Sequence, residues 1–266
     1  MYLGAAIAVM LFETIPPAGV AWMRIAGAAI VLLAWVRPGR AAWRRDRLIL
    51  AGVFGMTTAV MNVAFYEALA RLPLGTTVAL EFLGPIVVAA LGSRTRRDVF
   101  ALGLAIIGVV LIVDVRWSGT PAGVGFALLA ALCWAGYIVA GKRVAQRGAG
   151  IEDLTTGFVV ATVVLSPLVL TLRPVVAPGA NTAWLVALGV GLGVASTAIP
   201  YALDQVILRS VGQARFALLL ALLPVTASVV GFVVLQQVPH PSELAGIVAV
   251  AVAVAVRSAD VADPAR

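Results

Sequence analysis

The stretch VALEFLGPIVV, residues 78–88, places a carboxylate, Glu81, and a proline, Pro85, inside an almost unbroken apolar run. A carboxylate in apolar surroundings is strongly disfavoured unless a partner or water offsets it. Pro85 has no N–H to give to the carbonyl four residues back, so the same segment loses a helical hydrogen bond. A sequence that keeps both features in an apolar helix either buries them in protein or uses them.

The surroundings of this stretch set the class. The chain has 266 residues, is 62% hydrophobic and 12% charged, and has a mean hydropathy of +1.07. No soluble domain of that size hides so much apolar surface, so the composition predicts an all-α polytopic membrane protein. Apolar runs broken by Arg, Pro and Gly clusters fall near 1–13, 18–36, 48–70, 74–93, 99–115, 121–141, 154–172, 183–208, 214–235 and 242–256. They show little amphipathic periodicity, as expected of helices surrounded by lipid and by other helices. Short connections make sequential spans antiparallel neighbours. The first run, MYLGAAIAVMLF, gives only about 18 Å of helix at ~1.5 Å per residue. It also lacks the basic start and small-residue cleavage site of a signal peptide, so the first helix is expected to be truncated.

Charge gives the orientation. With the N-terminus inside, the cytoplasmic loops hold Arg37, Arg40, Arg44, Arg45, Arg47, Arg94, Arg96, Arg97, Lys142, Arg143, Arg147 and Arg209, and the tail adds Arg257 and Arg266. The opposite loops hold Arg71, Arg116 and Arg173, while Arg24 and Arg215 fall within spans. Such a bias is the positive-inside pattern, with both termini cytoplasmic. The net charge of +7 therefore reports membrane orientation, and a nucleic-acid partner is not expected.

Ten spans divide into five and five, and an odd number per half inverts the halves in the membrane, a plan that transporters use. Residues 1–117 carry the first repeat, 118–258 the second, and 259–266 a cytoplasmic tail. Sliding the sequence by 139 residues aligns 62–92 with 201–231 without a gap, placing Pro85 on Pro224, Gly92 on Gly231, Asn62 on Tyr201 and Tyr66 on Gln205. Few positions are identical, but both copies keep a mid-helix proline. Pro167 and Pro200 add further breaks.

A few polar residues remain in the spans. Arg24 has the small residues Gly27 and Ala28 beside it, which let another helix approach. Thr58, Asn62 and Tyr66 recur every four residues on one face, with Glu67 adjacent. Thr197, Tyr201, Asp204 and Gln205 form a second such face, and Trp134 and Tyr137 lie together on the sixth span. Trp134 also fits plain core packing; Glu67 and Asp114 fit the interface; Asp204 and Arg215 lie near enough to an end to snorkel. Glu81 has no such escape, and intramembrane ionisable groups face a cavity, pair or relay protons. One cysteine (Cys133) and one histidine (His240) exclude a disulfide framework and leave little for a zinc site or a Ser-His-Asp triad. Neither an enzyme nor a cofactor is expected, since clustered aspartates and a nucleotide-binding glycine loop are also missing from the sequence.

The segments LPLGTTVALEFLGP (72–85), CWAGYIVAGKR (133–143), STAIPYALD (196–204) and RIAGAAIVL (24–32) resemble the threonine/homoserine exporter group of the EamA-type drug/metabolite transporter superfamily. The likeness runs along nearly the whole chain. It implies ten transmembrane helices as two inverted five-helix EamA repeats, a central cavity, and export of small amino acids against protons. Two departures stand out. The family's first helix starts about ten residues earlier, and its frequent Glu before the second-repeat proline is Leu223 here.

The expected mechanism is secondary active export. Arg24 attracts the substrate carboxylate, or holds Glu81 ionised when the cavity is empty. Glu81 is the proton-coupling residue, with Asp204 the runner-up. Asn62, Tyr66, Trp134, Tyr137 and Tyr201 shape the pocket, and Pro85, Pro200 and Pro224 break the helices around it. The partners are a small-molecule substrate, protons and the lipid bilayer of a bacterial-type cytoplasmic membrane; a homodimer stays open. The alternatives are a broader metabolite or drug exporter of the same fold and a membrane protein that transports nothing.

Overall fold

The computed structural model describes residues 2–92, 96–116, 120–145, 150–172, 182–198 and 222–260. These residues form eleven α-helices. In chain order they are α1 (Tyr2–Leu11), α2 (Pro17–Val36), α3 (Arg45–Leu69), α4 (Leu74–Glu81), α5 (Leu83–Gly92), α6 (Arg96–Arg116), α7 (Pro121–Ala145), α8 (Gly150–Val164), α9 (Thr182–Gly193), α10 (Leu223–Leu235) and α11 (Pro241–Asp260). Short 3₁₀ turns cover Arg40–Trp43 and Ser166–Leu172, and a π turn covers Val194–Ala198.

Where the sequence predicts ten spans, some of them broken at prolines, the described residues hold three helices long and apolar enough to cross a membrane: Pro17–Val36, Arg45–Leu69 and Pro121–Val139. A fourth arises if Ile151–Val164 and Ser166–Leu172, bent by 57° to each other, count as one. Six shorter apolar helices accompany them: Tyr2–Leu11, Leu74–Val88, Val99–Ile112, Ala187–Ser196, Leu223–Leu235 and Pro241–Val256.

Proline accounts for two of the departures from unbroken helix. Pro85 has no N–H for the Glu81 carbonyl and its ring crowds that oxygen, and the run 74–92 is interrupted at Phe82, between α4 and α5. Pro167 stands in the same relation to Val163, and α8 stops at Val164. Prolines at helix starts act differently. Pro17 and Pro241 each open a helix, where no partner for their missing N–H is needed. At α11 the carboxylate of Glu243 also accepts from the His240 backbone N–H at 3.0 Å, which is the return half of a capping box.

The chain divides into two compact units. The described residues of the first fall within Leu3–Ala70 and Gly136–Tyr201, and those of the second within Arg71–Ala135 and Ala202–Arg266, with Tyr2 added. Each unit thus draws on both halves of the sequence, and α7 contributes to both.

In the first unit backbones meet at glycines. A Cβ on Gly27 of α2 would strike the Gly189 carbonyl of α9, and one on Gly55 of α3 would strike Gly157 of α8. Ile25, Ala29, Leu32, Ala59, Phe158 and Ala161 are packed beneath these crossings. At one end Arg47 clamps α3 to the start of α8. Its Nη2 donates to Asp153 Oδ1 at 2.7 Å and to Glu152 Oε2 at 3.2 Å.

The second unit follows the same rule. Gly108 of α6 meets Gly246 of α11, Gly75 of α4 meets Ser228 of α10, and Gly84 of α5 meets the Ala131 carbonyl of α7. In lipid, helices gain little from excluding apolar surface from one another, so close packing of small residues carries the association. Several large apolar side chains of α6 point outward instead. Val99, Phe100, Ile106, Ile107 and Val110 of α6 are all more than half exposed.

Candidate functional site

In the first unit, α3 carries a buried stripe at a four-residue spacing: Phe54, Thr58, Asn62 and Tyr66. The two middle donors are absorbed by their own helix. Thr58 Oγ1 donates to the Phe54 carbonyl at 2.9 Å, and Asn62 Nδ2 donates to the Thr58 carbonyl at 2.8 Å. The ends of the stripe meet other elements. Tyr137 of α7 stacks on Phe54 with ring centroids 4.7 Å apart, and Phe12 sets its edge on Tyr66 at 5.9 Å.

Arg24 of α2 stands over this second end. It is 8% exposed, its Cζ lies 5.7 Å from the centre of the Tyr66 ring, and its Nη2 donates to the Ser196 carbonyl at 3.0 Å. Within its own unit it meets no carboxylate among the described residues. Ser196 lies in the π turn that follows α9, a type of helix irregularity often found at functional sites. The hydroxyls of both Tyr66 and Ser196 are buried with no hydrogen-bond partner.

The second unit holds Glu81, Pro85, Trp134 and Pro224. Glu81 closes α4 and is half-buried, and its neighbour Phe82 is buried. Trp134 of α7 meets Phe82 edge to face, with centroids 4.9 Å apart and planes at 77°. The tight contact of Gly84 with Ala131 holds the two helices at that point. Pro224 is buried at the start of α10, where it opens the helix.

The structure therefore brings Arg24, Asn62, Tyr66 and Tyr137 together in one unit, and Glu81, Pro85 and Trp134 in the other. Pro200, Tyr201 and Asp204 lie outside the described residues. Three polar groupings escaped the sequence reading. Ser196 lies one residue off the four-residue period that singles out Thr197, Tyr201 and Gln205. The Arg47–Glu152–Asp153 clamp joins residues more than 100 positions apart. Glu243 is fully buried and accepts from Thr76 Oγ1 at 2.9 Å, yet in sequence it is only the first acidic residue of a helix. Its three-residue spacing from the helix cap was the available signal. Among the described residues no group of three or more His, Cys, Asp or Glu side chains could hold a metal ion.

Comparison with known proteins settles the family. Residues 121–258, just over half of the chain, match the EamA-like transporter family. The chain belongs to that family. This EamA-like protein is thus an integral membrane transporter and not an enzyme. It is 30% identical to the threonine/homoserine exporter RhtA of Salmonella typhimurium strain LT2 over 238 residues, covering 88% of this chain and 79% of the exporter. It is 29% identical to the protein of the same name from Escherichia coli strain K12 over 245 residues, covering 91% and 81%. A solved crystal structure matches with a TM-score of 0.58 over 99% of this chain and 95% of its own, at 21% identity, which is a likeness of fold.

Proposed function

We propose that this transporter is a secondary active exporter of small amino acids of the threonine/homoserine kind, working by proton antiport across a bacterial cytoplasmic membrane. It crosses that membrane ten times, as two inverted five-helix repeats over residues 1–117 and 118–258, with both termini cytoplasmic. The single observation that carries the substrate class is Arg24. A buried guanidinium whose described partners are one main-chain carbonyl and one aromatic face keeps most of its donors and its whole charge for another group. Buried charges in membrane helices are retained where they pair, and the carboxylate of an amino acid is an anion of the right valence. The names of the relatives support the same class.

Glu81 supplies the coupling. It ends an interrupted helix inside an apolar run, a position from which a carboxylate can gain or lose a proton as its surroundings change. Proton binding at Glu81 and substrate binding are alternative loads, and antiport follows from their exclusion. Asp204 is the reserve candidate for this role.

Reconstituted protein tests both parts. Wild type exchanges labelled L-threonine against unlabelled L-threonine and also concentrates it inside the vesicles under an outward-directed proton gradient. Glu81→Gln, which mimics the protonated form, retains exchange and loses the concentrating response. Gradient-driven transport by Glu81→Gln at the wild-type rate would remove Glu81 from the mechanism; absence of exchange in wild type would remove threonine as substrate.

A further inference from the structure

Two buried hydroxyls without hydrogen-bond partners belong to the two residues that touch a buried cation, Arg24, in the first unit. Tyr66 has no exposed surface and Ser196 has 3%, so neither hydroxyl reaches solvent. Buried hydroxyls are normally satisfied, and an orphan costs about 1–3 kcal/mol in desolvation. Both residues already touch Arg24 by another route: Tyr66 through its ring, Ser196 through its carbonyl. The guanidinium is therefore oriented by the same two residues whose O–H groups are unspent.

We infer that Arg24, Tyr66 and Ser196 form a carboxylate-selective subsite, in which the two hydroxyls donate to the oxygens of a substrate carboxylate held by the guanidinium. This rests on the amino-acid reading given above and adds to it the basis of selectivity. A carboxylate is acceptor-only, with about four lone-pair directions on two oxygens, which suits a set made of one cation and two hydroxyl donors. An ammonium group is repelled by Arg24. A primary amide offers one acceptor oxygen, brings two N–H donors, and leaves the guanidinium charge unpaired. A site built to satisfy buried polar groups rejects an analogue that leaves them unpaired more strongly than an apolar pocket rejects a change of shape.

The local backbone fixes these donors. Gly193 packs against the backbone of Gly27 and Ala28 so closely that no Cβ fits, which holds the turn after α9 against α2. Gly4 of α1 likewise has no room for a Cβ beside Ser196 Oγ. Ser196 is a residue of the site for reasons of position: in the π turn its carbonyl reaches Arg24 while its side chain stays inside the unit.

The test is equilibrium binding to the full chain in lipid nanodiscs, using acid and amide pairs: L-threonine with L-threoninamide, and lactate with lactamide. Wild type is expected to prefer the acid of a pair by about tenfold or more, the difference that hydrogen bonds to a charged group make. Ser196→Ala and Tyr66→Phe should each weaken the acid about three- to tenfold and leave the amide unchanged. Preference for lactate over lactamide without binding of threonine would sink the amino-acid reading and uphold the subsite. Equal binding of threonine and threoninamide would overturn the subsite while the amino-acid reading stands. Failure of every pair to bind, or variants that shift acid and amide alike, would also overturn it. The acid-to-amide ratio of wild type decides the matter even if a variant fails to fold.

Discussion

Gly27 and Gly191 sit on helices that pack together in the first unit, yet alanine at the two sites should have opposite effects. A Cβ on Gly27 would lie 2.6 Å from the carbonyl carbon of Gly189 and 2.9 Å from Val190 Cα. Carbon atoms rest at about 3.5–4.0 Å, so α2 and α9 would have to part by roughly 1 Å. Backbone cannot swing aside as a flexible side chain can. Overpacking of this kind costs about 1–3 kcal/mol, against a gain of about 0.5–1 kcal/mol from replacing a helical glycine. The net expectation for Gly27→Ala is a loss of about 1–2 kcal/mol. The displacement also pulls on the 3.0 Å bond from Arg24 to Ser196, so substrate affinity should fall with stability. At Gly191 a Cβ meets nothing within 4 Å, so Gly191→Ala should be neutral or stabilising by up to about 1 kcal/mol. Unfolding of the two variants in the same detergent, followed by helix signal against denaturant, reads the difference directly. Equal stability of Gly27→Ala and Gly191→Ala would refute the close approach of α2 and α9.

Other expectations are independent of that pair. Arg47→Met strips the buried Asp153 carboxylate of its two N–H donors and should destabilise the protein by about 2 kcal/mol, with Arg47→Lys recovering only part because a point charge cannot replace the fork; denaturant unfolding measures both. Thr76→Val removes the hydroxyl that donates to Glu243 Oε1 at 2.9 Å and should cost about 1–3 kcal/mol, whereas Thr76→Ser should cost less. In a Cys133→Ser background, an impermeant thiol reagent added outside intact cells should miss Arg40→Cys and label Ser118→Cys. The reverse pattern would invert the proposed topology.

Much of the fold follows from features that act locally. Apolar runs mark the helices because lipid and helix interior both demand them, and a proline inside such a run interrupts the helix, as at Phe82 and Leu165. The stripe of Thr58, Asn62 and Tyr66 follows from a four-residue period, and the structure buries that face in the first unit. Contacts between distant segments are another matter. The stacking of Tyr137 on Phe54 and the clamp of Arg47 on Asp153 join opposite halves of the chain, and no periodicity encodes such partners. Arg24 shows the difference most plainly. Its place in an apolar helix marks it for a role, and the sequence offers it a substrate carboxylate or Glu81; its contacts inside the first unit, the Ser196 carbonyl and the Tyr66 ring, come from distant segments and have no signal in the sequence. Ser196 could not be singled out because its role comes from a π turn, and a local change of helical pitch leaves no pattern in residue type.

Proton flux triggered by substrate is the most direct test of export by antiport. Proteoliposomes containing the wild-type transporter and a trapped pH indicator are loaded with L-threonine, and the internal pH is followed as external threonine is diluted away. Antiport predicts that threonine leaving the vesicles draws protons in, so the interior acidifies, and that Glu81→Gln vesicles lose threonine only by exchange and show no acidification. Threonine efflux from wild-type vesicles with no change of internal pH would contradict proton coupling.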